Sequence, residues 1–156
     1  MVVLVDTGIL LRFVNRAEPE HVIIRRAVRA LTARGDALVT SPQNVAEFWN
    51  VCTRPASARG GYGLSIEPTY QRLRLLERAF PVLSETAASY AVWKNLVLAN
   101  GVKGTKAHDA RLVALMKTHG ITEVLTLNES DFLRFAGINV LTPSSIISTP
   151  PDAAPA

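Results

Sequence analysis

Four acidic residues have types and positions that could do chemistry together. Asp6 directly follows the apolar run Val2–Val5, and Glu47 lies in a predicted helix. Asp109 is near the start of another predicted helix, and Asp131 follows a β-rich run. Taken singly, each acid also has an ordinary structural explanation. Asp6 could cap a helix, Asp109 could be a first-turn acid, Asp131 could sit in a turn and Glu47 could face solvent.

Two details favour a shared site. Asp109 lies on the same helical stripe as Leu112, Val113 and Met116, so it heads the face that is predicted to be buried. Glu47 lies in VAEFWNV, among apolar and aromatic residues, where a purely solvated acid is unusual. Both acids are therefore expected to face the interior edge of the fold.

Carboxylates that converge in this way would repel one another, and a hard divalent cation removes that repulsion. Oxygen ligands suit Mg²⁺ or Mn²⁺. The chain has one cysteine, Cys52, and three histidines without a zinc-like arrangement. A carboxylate-held Mg²⁺ or Mn²⁺ at a basic surface suggests hydrolysis of phosphodiester bonds.

The elements that must position these acids alternate along the chain between β-rich runs and helices. This alternation predicts an α/β fold with a parallel sheet covered on both faces, in which ligands bind beyond the carboxyl ends of the strands. Strands are predicted at Val2–Val5, Ala37–Thr40, Pro81–Leu83, Glu123–Leu127 and Ile138–Leu141, and helices at Thr7–Val14, Pro19–Arg34, from Pro42 onward, Glu67–Phe80, Thr86–Ala99 and His108–His119.

Composition predicts one domain at 1–145, followed by a flexible Pro/Ala-rich C-terminal tail at 146–156. The net charge is +4, and all of the excess lies in residues 1–80, which are rich in arginine. Such a surface favours an anionic partner such as nucleic acid, although a solvated arginine surface explains it equally well. No apolar stretch is long enough to span a bilayer, and the N-terminus does not resemble a signal peptide. We therefore expect a cytoplasmic protein that does not engage the membrane.

Three segments, VVLVDTGILL, SPQNVAEFWNV and HDARLVALMKTHGITEVLTLNESDF, resemble the acidic motifs of PIN-domain nucleases, and most nearly those of VapC-type toxins of bacterial toxin–antitoxin pairs. The resemblance runs from about residue 2 to about residue 143. It implies a PIN-like three-layer α/β/α fold with a central parallel sheet, Mg²⁺- or Mn²⁺-dependent endoribonuclease activity on RNA, a cognate antitoxin protein and a homodimer. It identifies the catalytic residues and metal ligands as Asp6, Glu47, Asp109 and Asp131.

The resemblance also suggests supporting residues. The hydroxyl groups of Thr7 and Thr126 would orient metal ligands or water. The last motif of the family is variable, and Asn128 adds no charge there, which leaves Asp131 as the acid of that motif in its usual place. Candidate phosphate contacts, chosen because their loops could lie near the rim of the sheet, are Arg54, Arg59, Lys103 and Lys106.

Some of these residues are also compatible with other functions. VLVDTG is also typical of aspartic proteases, but those enzymes pair two such loops on an all-β scaffold, which the helical periodicity here disfavours. A haloacid-dehalogenase-type phosphatase needs an aspartate where this chain has Gly8, so that function is excluded. Two alternatives remain open: a non-toxin PIN nuclease in RNA processing, and a non-catalytic PIN module that binds RNA or protein.

Overall fold

The centre of the fold is a four-stranded sheet in the order β2-β1-β3-β4. A computed structural model describes residues 1–148, so residues 149–156 of the predicted tail lie outside the described residues. All three strand pairs are parallel, which confirms the predicted parallel sheet. The strands are β1 (Val2–Val5), β2 (Ala37–Val39), β3 (Glu123–Leu125) and β4 (Asn139–Leu141).

Helices connect the strands and cover both faces of the sheet. Within residues 1–148 they are α1 (Thr7–Val14), α2 (His21–Ala33), α3 (Pro42–Thr53), α4 (Ile66–Ala79), α5 (Ser89–Ala99), α6 (Lys106–Thr118), α7 (Glu129–Phe132) and α8 (Pro143–Ser148).

The two faces of the sheet belong to two apolar clusters. Successive side chains of a strand point to opposite faces, and in β1 this sends Val3 and Val5 to one cluster and Leu4 to the other. The first cluster packs the sheet against α1, α2, α3, α4 and α8, and the second packs it against α6 and α7 with α5 outside. The result is the predicted three-layer α/β/α architecture.

Most elements match their predicted positions, and the differences have local causes. The segment predicted as a strand at Pro81–Leu83 forms a single bridge, between Thr40 and Val82. Pro81 has no N–H to donate, so the segment cannot form the continuous hydrogen bonds of a strand pair. Two helices were not predicted. One is the single turn of α7, and the other is α8, which takes in residues 146–148 from the predicted tail and buries Ile146.

Helix α6 begins at Lys106, two residues before the predicted start at His108, and α5 begins at Ser89 rather than at Thr86. The earlier start of α6 brings Lys106 and Asp109 into the same first turn. In residues 1–148, no helix is both long and apolar enough to cross a bilayer.

Candidate active site

Asp6 lies where β1 ends and α1 begins, and it serves both elements. Its Oδ1 accepts a hydrogen bond of 2.7 Å from the Thr7 backbone N–H, so Asp6 is the N-cap of α1. Its Oδ2 accepts a hydrogen bond of 2.8 Å from the hydroxyl of Thr126, which follows the neighbouring strand β3. Asp6 therefore caps α1 with Oδ1, while Oδ2 faces Thr126 at the carboxyl end of the sheet.

The charge of Asp6 is poorly accommodated in the folded protein. Burial raises the pKa of its carboxyl group from 3.8 to about 6, and the nearby charges of Glu47 and Asp109 act in the same direction. The hydrogen bonds from Thr126 and Thr7 oppose this rise. At neutral pH the side chain is ionised at a free-energy cost, which a bound cation would lower.

Glu47 approaches Asp6 because the start of α3 is attached to the end of β1. The Asn44 side chain donates a hydrogen bond of 2.8 Å to the Val5 carbonyl, and Ser41 caps the helix. Glu47 follows one turn later, where its Oε2 accepts a hydrogen bond of 2.6 Å from the Thr7 hydroxyl. Thr7 thus links the first residue of α1 to Glu47.

Gln43 is a further part of the site that the sequence analysis missed. Its Nε2 donates to Glu47 Oε1 at 2.8 Å and to the His108 carbonyl at 3.1 Å, so it joins α3 to α6. Both partners can only accept, which fixes the orientation of the amide. A usable signal was present, because Gln43 precedes Glu47 by four residues and the two share one helix face.

Asp109 and Asp131 meet around the ammonium group of Lys106. Lys106 Nζ donates a hydrogen bond to Asp131 Oδ1 and lies 3.5 Å from Asp109 Oδ2. Burial and the charge of Asp131 raise the pKa of Asp109, and Lys106 partly offsets the rise. The structure therefore brings this lysine, predicted as a phosphate contact, between two of the predicted metal ligands.

The remaining predicted residues form no ion pair with the four acids within residues 1–148. The backbone N–H of Asn128 donates to the Thr126 hydroxyl at 3.0 Å, and the residue is exposed. Arg54 directly follows the last residue of α3, about 10 Å along the helix axis from Glu47. Arg59 and Lys103 are exposed on loops, and no ion pair joins either of them to an acid within residues 1–148.

The donor set is suited to a hard divalent cation. Within residues 1–148, no three His, Cys, Asp or Glu side chains gather closely enough to hold a metal by themselves. The acids instead interact as near neighbours, and like charges contribute to the raised pKa values of Asp6 and Asp109. Mg²⁺ commonly uses one or two carboxylates and fills its remaining positions with water and substrate oxygens. Asp6, Glu47, Asp109 and Asp131 fit that mode of binding.

A second surface, which we call the arginine groove, lies between the end of α1, α2 and α4. It is a cavity of about 610 Å³ in which arginines alternate with apolar side chains. The guanidinium of Arg25 stacks on the Phe13 ring at 4.4 Å, while Val22 and Leu75 are 66% and 54% exposed. The remaining lining residues are Val14, Arg16, His21, Arg26, Arg29, Arg78 and Ala79.

Comparison with protein families shows which family the chain belongs to. The PIN domain family model matches residues 3–138, and the chain therefore belongs to the PIN domain family. Comparison with curated protein sequences found no match.

Solved structures support the same fold. The chain is similar to VapBC2 from Rickettsia felis bound to a DNA fragment from their promoter, with 14% identity, a TM-score of 0.66 and coverage of 91% of this chain and 98% of that one. It is similar to FitAcB from Neisseria gonorrhoeae, with 22% identity, a TM-score of 0.61 and coverage of 92% and 99%. It is also similar to VapC20 from Mycobacterium tuberculosis, a Sarcin-Ricin loop cleaving toxin, with 21% identity, a TM-score of 0.55 and coverage of 80% of this chain and 87% of that one.

Proposed function

We propose that this chain is a metal-dependent endoribonuclease that acts as the toxin of a toxin–antitoxin pair. The observation that carries the proposal is the position of Asp6. Its carboxylate ends the central strand β1, has a raised pKa and lies within electrostatic range of Glu47 and Asp109. Such a charge at the ligand-binding edge of a parallel sheet is expected of a functional site.

Under this proposal, Asp6, Glu47, Asp109 and Asp131 hold Mg²⁺ or Mn²⁺. When bound, the cation would supply an activated water and neutralise charge on the scissile phosphate. The chain itself fixes its carboxylates in place. Thr126 holds one oxygen of Asp6, while Thr7 and Gln43 each hold one oxygen of Glu47. Fixed ligands lose little conformational entropy when they bind, and this favours a competent geometry.

The test is cleavage of total RNA by wild type and two variants, with Mg²⁺, Mn²⁺ or EDTA. Asp6→Asn keeps the shape of the side chain and its acceptor for the Thr7 N–H. Glu129→Gln is the matched control, because Glu129 is an exposed acid two residues from Asp131. We expect metal-dependent cleavage by wild type and by Glu129→Gln, and almost none by Asp6→Asn. Full activity in EDTA would refute the metal mechanism, and intact RNA under all conditions would favour the non-catalytic alternative.

The arginine groove is the surface that best suits the antitoxin. It combines exposed apolar side chains with five arginines, a mixture enriched at protein–protein interfaces. No acidic residue lines it, so a partner that presents acidic and apolar side chains on one face would be complementary. The chain is also similar in fold to a toxin–antitoxin complex from Klebsiella pneumoniae, and we extend that type of partner to this chain.

Helix α5 supports the proposal of a homodimer. It reads SYAVWKNLVLA, yet none of its residues is fully buried. One side packs on α6 through the partly buried residues Trp93 and Leu96, while Tyr90 and Leu98 remain 68% and 73% exposed. An apolar helix exposed to this degree is expected to be covered by another surface. A second copy of this chain would supply a matching one.

A further inference from the structure

Lys106 occupies a position that helix stability does not explain. It is the first residue of α6, where the helix dipole disfavours a positive charge. Its ammonium nevertheless lies within ion-pair distance of Asp109, 3.5 Å away, and of Asp131. These carboxylates come from α6 and α7, so the contact joins two elements at the site.

We propose that Lys106 is an exchangeable internal counter-ion, whose ammonium bridges Asp109 and Asp131 in the metal-free protein and is displaced when a divalent cation binds these carboxylates. This inference rests on the proposed function, since it assigns a role to Lys106 at the same site. Asp109 and Asp131 repel each other, and without a divalent cation the ammonium offsets that repulsion. With a cation bound, the ammonium and the metal would compete for the same oxygens.

The surroundings of Lys106 allow the exchange. Its side chain is 36% exposed, whereas those of Asp109 and Asp131 are each 21% exposed. The lysine can therefore turn into solvent about its four flexible methylenes while the acids stay in place. A displaced ammonium would remain beside the site, where it could contact a substrate phosphate.

Direct measurement of Mn²⁺ affinity tests the competition. Free Mn²⁺ is titrated by electron paramagnetic resonance with wild type, Lys106→Met and Lys103→Met at neutral pH. Methionine keeps the length of the side chain and removes its charge. Lys103→Met is the matched control, because Lys103 lies three residues earlier, is exposed, and forms no ion pair with Asp109 or Asp131.

We expect Lys106→Met to bind Mn²⁺ about tenfold more tightly than wild type, because a competing charge near 4 Å is removed from a partly solvated site. Lys103→Met should stay within about twofold of wild type. In EDTA, Lys106→Met should also melt at a lower temperature, since its two acids then lack their counter-ion. A purely structural ion pair would lower the melting temperature and leave Mn²⁺ affinity unchanged, and that result would overturn the proposal.

A second measurement on wild type covers the case in which Lys106→Met does not fold. Lysine labelled with ¹³C at Cε is followed by NMR during addition of Mg²⁺, and the Lys106 signal is assigned with Lys106→Arg. The signal should move to the position typical of solvated lysines, and an unchanged signal at saturating Mg²⁺ would overturn the proposal. If wild type binds neither Mn²⁺ nor Mg²⁺, the proposed function itself fails. If it binds them but Lys106→Met shows wild-type affinity, only the role of Lys106 is refuted.

Discussion

Thr7 Oγ1 donates a hydrogen bond of 2.6 Å to Glu47 Oε2, across 40 positions of the chain. Thr7 also directly follows Asp6, and its backbone N–H donates a hydrogen bond to the Asp6 carboxylate, which caps α1. A single residue thus orients two of the four acids. Its hydroxyl is the only part of the side chain that this role requires, which makes the role simple to test.

Thr7→Val removes that hydroxyl and preserves the volume of the side chain. Glu47 keeps its hydrogen bond from Gln43 but loses its second restraint. We expect the variant to fold and to need more Mg²⁺, with RNA cleavage at limiting Mg²⁺ reduced about 10- to 100-fold. Thr53→Val is the control, because the Thr53 hydroxyl, at the last residue of α3, donates to the Trp49 carbonyl of its own helix. Equal losses in the two variants would contradict an orienting role for Thr7.

The raised pKa of Asp6 predicts how stability depends on pH. The folded protein holds this proton more tightly than the unfolded chain, because the pKa of Asp6 is about 6 in the fold against 3.8 for an unperturbed aspartate. The contribution of Asp6 to stability is therefore greatest at low pH and is lost as pH rises through about 6. Urea unfolding in EDTA should show wild type losing roughly 2–3 kcal/mol relative to Asp6→Asn between about pH 4 and pH 7. Parallel pH profiles for the two proteins would contradict the shift.

Asp109→Asn should separate stability from activity. Burial and Asp131 both raise the pKa of Asp109, so its ionised form destabilises the metal-free fold at neutral pH. We expect the variant to melt higher than wild type in EDTA, to gain less from Mg²⁺ and to lose at least about 100-fold in cleavage. Four melts test this, wild type and variant, each with EDTA and with Mg²⁺. If the variant melts lower and gains as much from Mg²⁺, Asp109 only stabilises the start of α6.

Two surface variants should separate the proposed partners. Val22→Glu places an acid in the arginine groove, and Leu98→Glu places one on the exposed side of α5. Both residues are exposed, so both variants should fold. With a candidate antitoxin from a neighbouring reading frame as the probe, Val22→Glu should weaken antitoxin binding at least tenfold and leave the mass of the free protein in solution unchanged. Leu98→Glu should convert a dimer to a monomer and retain antitoxin binding. The reverse pattern would show that the antitoxin binds at α5 and that the dimer forms at the arginine groove. If neither variant changes antitoxin binding or mass, both surface assignments are wrong.

The sequence predicted the architecture well because the apolar periodicity that it displays is the cause of the fold. Strand β1 and helix α1 match the predicted bounds, since the continuous apolar run of β1 and the helical stripe of α1 leave little freedom. The single turn of α7 was missed because four residues are too few to establish a period. The bridge at Val82 fell short of a strand because Pro81 has no N–H with which to extend the pairing.

The proximity of the acids was predictable from the sequence, and the hydrogen-bond partners that hold them were less so. Position after a strand indicates which carboxylates can reach the rim, whereas it does not indicate which side chain holds which oxygen. Gln43 reaches Glu47 within one helix, but its second partner is the carbonyl of His108, distant in sequence. Lys106 was assigned to phosphate from its loop, and its contact with Asp131 depends on how α7 packs on α6. Such contacts arise from the assembled fold and not from local pattern.

The neighbours of Asp6 in the sheet have a consequence for synthesis of the chain. Strand β1 is synthesised before the other three strands. One of its two neighbours in the sheet is β3, and the hydrogen bond from Thr126, after β3, to Asp6 spans 120 positions. Contacts so distant in sequence form late in folding. A nascent chain or a premature termination product that stops before β3 has neither Thr126 nor Asp131 to complete the rim. These residues can therefore come together only in chains that extend past Asp131, and translational errors upstream of residue 123 would release fragments that lack part of the rim.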